Sequence, residues 1–412
     1  MTRSGNIIDS IKKGTPNHYQ PLPVVLSEGD GCWVKDVAGK SYLDMLSCYS
    51  AVNLGYKHPK LTKAITTQLD TGLTACSNAV YNDKQIFNTK LAEFCGYDKA
   101  LVMNTGAEAV ETFIKLARKW RSLNRVRVGG IGDTAEDDAE IIVCANNFHG
   151  RTTTIISFSS ELLYREGFGP QTPGFRIIPY GDIKALEQAI NFKTAAFLVE
   201  PIQGEGGINI PPQGYLSEAK QICAQKGVLF ALDEIQTGFG RTGKMFAWEH
   251  EDAKPDVLIL GKSLGSYIPV SAVLADKEKM DAVFTPGTHG STFADNPLAC
   301  AIGIAVLEVF SAEGSKLLAN VSKNGRWFTK QLKGIKNPHI KEVRGRGLFV
   351  GVELLPEAGG ARRFCEALVQ LKPSGIICKE THKNVIRFAP PLIIAREELE
   401  WAVDRIRQVL EN

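Results

Sequence analysis

Two apolar runs constrain this chain more than any other feature: Val228-Leu-Phe-Ala-Leu232 and Asp256-Val-Leu-Ile-Leu260, each of which stops at a polar cluster where a buried strand must end. The first leads into Asp233-Glu-Ile-Gln236-Thr-Gly238, the second into Gly261-Lys262. Short runs of leucine and β-branched residues without alternation fit strands of a parallel sheet that is covered on both faces. Such sheets bind ligands at the carboxyl ends of their strands, which predicts that Asp233, Gln236 and Lys262 share one crevice.

A lysine in that position, with its pKa lowered by burial, can join a carbonyl cofactor through its amine. An aspartate beside it can keep a pyridine nitrogen protonated and the ring an electron sink, which is the pairing that pyridoxal 5'-phosphate needs. Out of this context a lysine is a solvated surface residue, and an aspartate after a strand is a turn or a helix cap.

Further strands are predicted at Ala100–Met103, Ile141–Ala145, Ala195–Val199 and Pro269–Ala275, with helices over 61–69, 104–118 and 215–226. Alternating strands and helices of this kind make an α/β domain. The strand, tight turn and helix start at Asn104-Thr-Gly106-Ala107 form an anion site, where free N–H groups and the helix dipole favour a phosphate. Glu205, a few residues past Val199, falls on the same strand-end face.

Before this domain, residues 1–50 read as a lead-in arm with a strand at Val24–Leu26 and a hairpin around Ala38-Gly39. Tyr19 lies on a Pro-rich extended piece and Tyr49 in a polar, loop-like cluster. Residues 121–139 pass from basic to acidic through three glycines and are predicted to be an exposed loop. Toward the C-terminus, strands at Glu342–Arg344, Leu348–Glu353 and Val385–Phe388 and a helix over 397–410 suggest a smaller α+β domain.

The formal net charge of +3 over 412 residues, with basic residues dispersed, points away from nucleic acid and anionic membranes. Nine scattered cysteines form no Cys-x-x-Cys pair and no zinc-ligand spacing, so no metal is expected and the thiols read as free in a reducing compartment. No run reads as a signal peptide or a membrane span. The cytoplasm is the expected location, with a mitochondrial matrix left open by the chance of a cleaved presequence.

Asp233-Glu-Ile-Gln-Thr-Gly-Phe-Gly-Arg-Thr-Gly243, followed by Pro255-Asp-Val-Leu-Ile-Leu-Gly-Lys262, resembles the class III (ω-) aminotransferases of the pyridoxal-phosphate fold type I. The likeness runs from about Tyr19 to the C-terminus. It implies an arm and part of a small domain over residues 1–57, a large domain with a mostly parallel sheet over 58–333, and a smaller α+β domain over 334–412. It also implies that Lys262 and Asp233 are catalytic, that Gln236 meets the ring oxygen, that Gly106 and Ala107 grip the phosphate, and that Phe148 or His149 covers the ring. Thr292 would reach the phosphate of the partner subunit, which makes the unit a homodimer or a higher homo-oligomer with shared sites.

For substrates, the same resemblance leaves L-ornithine, N-acetylornithine and 4-aminobutyrate as amine donors with 2-oxoglutarate as acceptor. More remote are a class III-like mutase or racemase and a non-catalytic assembly protein. The residues favour L-ornithine reacting at its δ-amine: Arg151 suits the α-carboxylate, and Tyr19 and Tyr49 the α-ammonium. Arg387 would take the carboxylate of 2-oxoglutarate, with Glu205 masking it in the first half-reaction. Two places depart from the family pattern, Lys262-Ser-Leu-Gly-Ser-Tyr-Ile-Pro269 and Phe293-Ala-Asp295, where relatives carry glycine pairs. Asp295 would weaken cofactor binding if its charge faced the phosphate.

Overall fold

A computed structural model describes residues 3–127 and 138–411. The chain divides into two compact units, one of residues 60–240 and 244–315, the other of residues 1–59, 241–243 and 316–412.

The second unit opens with a helix, Arg3–Gly14, where the sequence suggested only an arm. Strands β1 (Leu26–Asp30), β2 (Trp33–Asp36) and β3 (Ser41–Asp44) follow as an antiparallel meander. The first strand thus starts where the predicted one at Val24–Leu26 was to end, because its ladder to β2 begins at the Leu26–Asp36 pair.

The first unit is built on a seven-stranded sheet in the order β4-β10-β9-β8-β7-β5-β6. Its strands are β4 (Lys99–Met103), β5 (Glu140–Cys144), β6 (Phe175–Ile178), β7 (Thr194–Val199), β8 (Leu229–Asp233), β9 (Val257–Leu260) and β10 (Ser271–Ala275). Only β10 runs against the rest. Every residue of β7, β8, β9 and β10 is buried, as expected of strands covered on both faces. On one face the helix Gly106–Arg127 inserts Ala109, Val110, Phe113, Leu116 and Ala117, at the spacing of one helical stripe. Leu216, Ala219 and Cys223 of the helix Tyr215–Lys226 cover the other.

One expectation fails here for a physical reason, and one apolar helix needs its surroundings to be read. The predicted loop over 121–139 is helical as far as Arg127, because the helix begun at Gly106 continues on Trp120 and Leu123, which pack against the core; residues 128–137 of that loop lie outside the described residues. The helix Pro297–Lys333 is long and apolar enough to cross a membrane by length and composition. Cys300, Ile302, Val306, Phe310 and Phe328 are nonetheless buried within the protein, so its hydropathy is that of a core helix.

The C-terminal part of the second unit adds an antiparallel sheet, β11 (Ile340–Arg346), β12 (Phe349–Leu354), β14 (Lys379–Thr381) and β15 (Val385–Phe388). Its β13 (Gly375–Ile377) leaves that sheet and pairs in parallel with β3. The helix Arg396–Leu410 buries Leu399, Ala402, Val403, Ile406 and Leu410.

Candidate active site

A cavity of about 260 Å³ is lined by Gly106, Ala107, Phe148, His149, Glu200, Asp233, Gln236 and Lys262. These residues follow β4, β5 and β7, end β8 and follow β9, so one end of the parallel strands supplies them all. Asp233 closes β8; its Oδ1 accepts the N–H of Ile235 at 3.0 Å, the expected turn contact, and its Oδ2 lies 2.7 Å from His149 Nδ1. An ionised carboxylate only accepts, so the imidazole carries its proton on Nδ1. Burial works against a charged His149, yet the bond and charge of Asp233, with Glu200 behind, raise its pKa on balance. His149 is thus tied edgewise to Asp233, and Phe148 remains as the aromatic wall of the cavity.

Glu200 carries no expectation from the sequence, although it directly follows β7, where the strand-end rule applies. Its carboxylate accepts from Phe148 N–H at 2.9 Å and Gly204 N–H at 3.2 Å, which holds the Phe148 loop in place. Burial pushes the Glu200 carboxyl up to about 7, against the pull of His149. Gln236 donates to Glu205 Oε1 at 3.3 Å. A Cβ on Gly204 would stand 2.7 Å from Gln236 Oε1, so that amide keeps its place only beside a glycine. Lys262 sits just past β9 with φ of +45°, a left-handed conformation that an L-residue adopts only when its surroundings impose it.

At the other end of the cavity the N–H groups of Gly106 and Ala107 belong to the first turn of the helix Gly106–Arg127, where no intrahelical acceptor exists. Glu108 Oε2 caps the preceding turn through Thr105 N–H at 2.7 Å and Asn104 N–H at 3.1 Å. The segment that carries Thr292 is lashed to this helix. Asn104 Nδ2 donates to Ser291 Oγ at 2.9 Å, Lys115 to Thr288 O at 2.6 Å, and His289 sits between Thr112 and Lys115. Thr292 itself is exposed and does not line the cavity of its own chain. Asp295 takes the left-handed conformation (φ +57°) and turns toward residues 82–88, where Gln85 Nε2 reaches its Oδ2 at 3.5 Å and Asn82 holds its carbonyl at 3.0 Å.

Arg151, exposed on the loop after β5, places its Cζ 3.7 Å over the Tyr164 ring and 5.4 Å from the Phe148 ring. Its guanidinium has no hydrogen-bond or carboxylate partner among the described residues. In the unit that holds both termini, Arg387 on β15 is buried with its Cζ 4.7 Å over the Tyr49 ring, while Tyr19 is 73% exposed. Tyr49 is set by an unusual turn, not a plain loop: Ser47, Cys48, Tyr49 and Ser50 all have positive φ. Asp44 Oδ1 accepts from Leu46 and Ser47 N–H, and Ser47 Oγ donates to Ala389 O at 2.7 Å, which supports that strained geometry.

Residues 15–410 match the aminotransferase class-III family. The chain is 52% identical over 414 residues to an ornithine aminotransferase of Bacillus subtilis (100% of this chain, 99% of the relative) and 52% identical over 412 residues to one of Brevibacillus brevis (100% and 99%). Among solved structures, ornithine aminotransferase from Toxoplasma gondii superposes with a TM-score of 0.92 at 42% identity, covering 99% of this chain and 94% of that one. Acetylornithine aminotransferase from Elizabethkingia anophelis does so with 0.86 at 43% identity, covering 100% and 99%.

Proposed function

We propose that this chain, which belongs to the class III aminotransferases, moves the δ-amino group of L-ornithine to 2-oxoglutarate and yields glutamate 5-semialdehyde and glutamate. Class III aminotransferases work with pyridoxal 5'-phosphate, and the cavity fits that group. It offers a helix start with unpaired N–H groups for a phosphate, an aromatic wall, a buried carboxylate and a lysine. Asp295, the one anion whose placement threatened the fit, is engaged with Gln85.

When bound, the cofactor supplies an aldehyde carbon for the amino group and a protonated ring that takes up electrons. Lys262 Nζ would hold the cofactor at rest and would serve as the proton carrier of the exchange. Asp233, oriented by His149 and Ile235 N–H, keeps the ring nitrogen protonated. Gln236, held against Glu205, would meet the ring oxygen, and the Gly106 and Ala107 N–H groups would hold the phosphate. The phenyl ring of Phe148 keeps water from one face.

For the donor, one observation carries the reading: Arg151 is stacked on an aromatic face with its N–H edge unpaired, as a bidentate carboxylate site requires. Ornithine has the α-carboxylate for that edge; 4-aminobutyrate also ends in a carboxylate remote from its amine but lacks the α-ammonium, so the groups assigned to that ammonium separate the two. The Tyr19 and Tyr49 hydroxyls are assigned to the α-ammonium. In the second stage Arg387, a buried guanidinium over Tyr49, is assigned to a carboxylate of 2-oxoglutarate, with Glu205 as the modulating anion. Thr292, exposed and absent from its own cavity lining, supports a homodimer in which it serves the partner's phosphate. The bacterial relatives support a cytoplasmic location.

N-acetylornithine keeps the carboxylate and is the donor named for the Elizabethkingia structure, so it is the second reading. The deciding experiment is a donor panel with 2-oxoglutarate and products identified by mass. L-ornithine should lead in kcat/KM on the order of tenfold or more. A preference for N-acetylornithine or 4-aminobutyrate would overturn the assignment and leave aminotransfer intact.

A further inference from the structure

Tyr164 carries no expectation from the sequence and no role in the chemistry above. It sits on a single helical turn, Leu162–Arg165, whose N-terminus is capped by Glu161. The turn belongs to a segment pinned to the strand-end loops: Ser160 Oγ accepts from Asn146 N–H at 2.7 Å, Arg165 Nη1 donates to Ser159 O at 3.3 Å, and Ser157 Oγ accepts from Thr172 N–H at 2.8 Å. The half-buried ring is therefore presented in a set place. One face lies under the Arg151 guanidinium, 3.7 Å from Cζ, and the ring meets Phe148 edge-on at 6.2 Å and 84°. Burial raises the Tyr164 phenol pKa, with Arg151 pulling it down and Glu205 and Glu161 pushing it up, so the ring stays neutral near neutral pH.

An exposed arginine ordinarily samples many rotamers, and freezing it when a carboxylate arrives costs binding free energy. A guanidinium already lying on an aromatic face has given up that freedom while keeping its N–H edge open, because stacking uses the face of the group and not its donors. We propose that Tyr164 is a specificity-determining positioning residue: by stacking on Arg151 it pre-orients the guanidinium for the α-carboxylate of the amine donor, and so discriminates for donors that carry a carboxylate at the end remote from the reacting amine. This deepens the reading of Arg151 as the carboxylate site and rests on it.

The probe pair is L-ornithine and 1,4-diaminobutane, which differ only in that carboxylate. The variants are Tyr164→Phe, which keeps the stacking face, Tyr164→Met and Tyr164→Leu, which remove it, and Arg151→Gln. With the holoenzyme, the ratio of kcat/KM for L-ornithine to that for 1,4-diaminobutane should fall roughly tenfold in Tyr164→Met and Tyr164→Leu, carried by the KM for L-ornithine rather than by kcat. Tyr164→Phe should keep the ratio within about twofold of wild type. A parallel fall for both donors, or a loss confined to kcat, would mean that Tyr164 only supports the loop, and the proposal fails. If Arg151→Gln lowers the ratio and neither Tyr164→Met nor Tyr164→Leu does, the carboxylate site stands and the positioning role is wrong. An unchanged ratio in Arg151→Gln removes the carboxylate site and the proposal together.

Discussion

Replacing Asp233 with asparagine tests the polar centre of the site by charge alone, since the two side chains have nearly the same shape. Asparagine Oδ1 can still accept from Ile235 N–H, but its Nδ2 then faces His149 Nδ1, which must become an acceptor. The imidazole proton moves to Nε2, a buried atom with no hydrogen-bond partner among the described residues. One charge-assisted bond is lost, a cost of about 2 kcal/mol. A chain of 412 residues unfolds with an entropy of about 0.9 kcal/mol/K if it unfolds as one unit, so Tm of the cofactor-free protein should drop by about 2 °C.

The sign of the pH dependence follows from His149. Its folded pKa is raised above the ordinary 6.5, so the stabilisation from Asp233 is fully present below 6.5 and fades as pH rises through the folded value. The gap in Tm between wild type and Asp233→Asn should be widest near pH ~6 and narrow by pH ~9 in calorimetric scans of the two cofactor-free proteins. In the loaded enzyme kcat should fall about a hundredfold or more, because the ring nitrogen loses its anion. A Tm gap that is constant across this range, or that widens at high pH, would refute the assignment of the charged pair.

Lys262→Ala should bind the cofactor without the absorption shift that covalent attachment brings and should lack steady-state turnover, with the circular-dichroism spectrum of a folded protein; turnover at the wild-type rate would end its assigned role. His289 offers a second pH test. Thr112 Oγ1 donates to Glu108 O and so accepts from His289 Nε2–H, which leaves Nδ1 to accept from Lys115, an arrangement open only to a neutral ring. Burial and then Lys115 lower the His289 pKa, opposed by Glu108, so its contribution is present above 6.5 and is lost as pH falls toward the folded value. His289→Asn should therefore flatten the loss of Tm between pH ~7 and ~5 seen in the wild type, and an identical acid slope in both proteins would show that the ring plays no such part.

Much of the larger unit was legible because its signals are local. An apolar run of four or five residues that ends in charge defines a buried strand and its functional end without reference to the rest of the chain, and β8 and β9 lie where those runs are. The helix Tyr215–Lys226 matches its predicted span, closed by Gly227 in the left-handed conformation. Residues 121–127 were misread because composition suggested a loop while Trp120 and Leu123 had a core to pack against, a context that the segment does not contain.

What the chain determined by itself is the order of strands and helices and therefore the set of residues delivered to one end of the sheet: Gly106, Phe148, Glu200, Asp233 and Lys262 each stand at or just beyond a strand or helix boundary that short-range patterning marks. Only the tertiary structure decided what those side chains do to one another. His149 and Asp233 meet across 84 residues, Arg151 finds Tyr164 on a separate turn, and Asp295 turns to Gln85 across 210 residues. The physical reason is that side-chain direction, protonation and pairing depend on neighbours brought in by packing, and a rotamer or a proton position leaves no periodicity in the sequence.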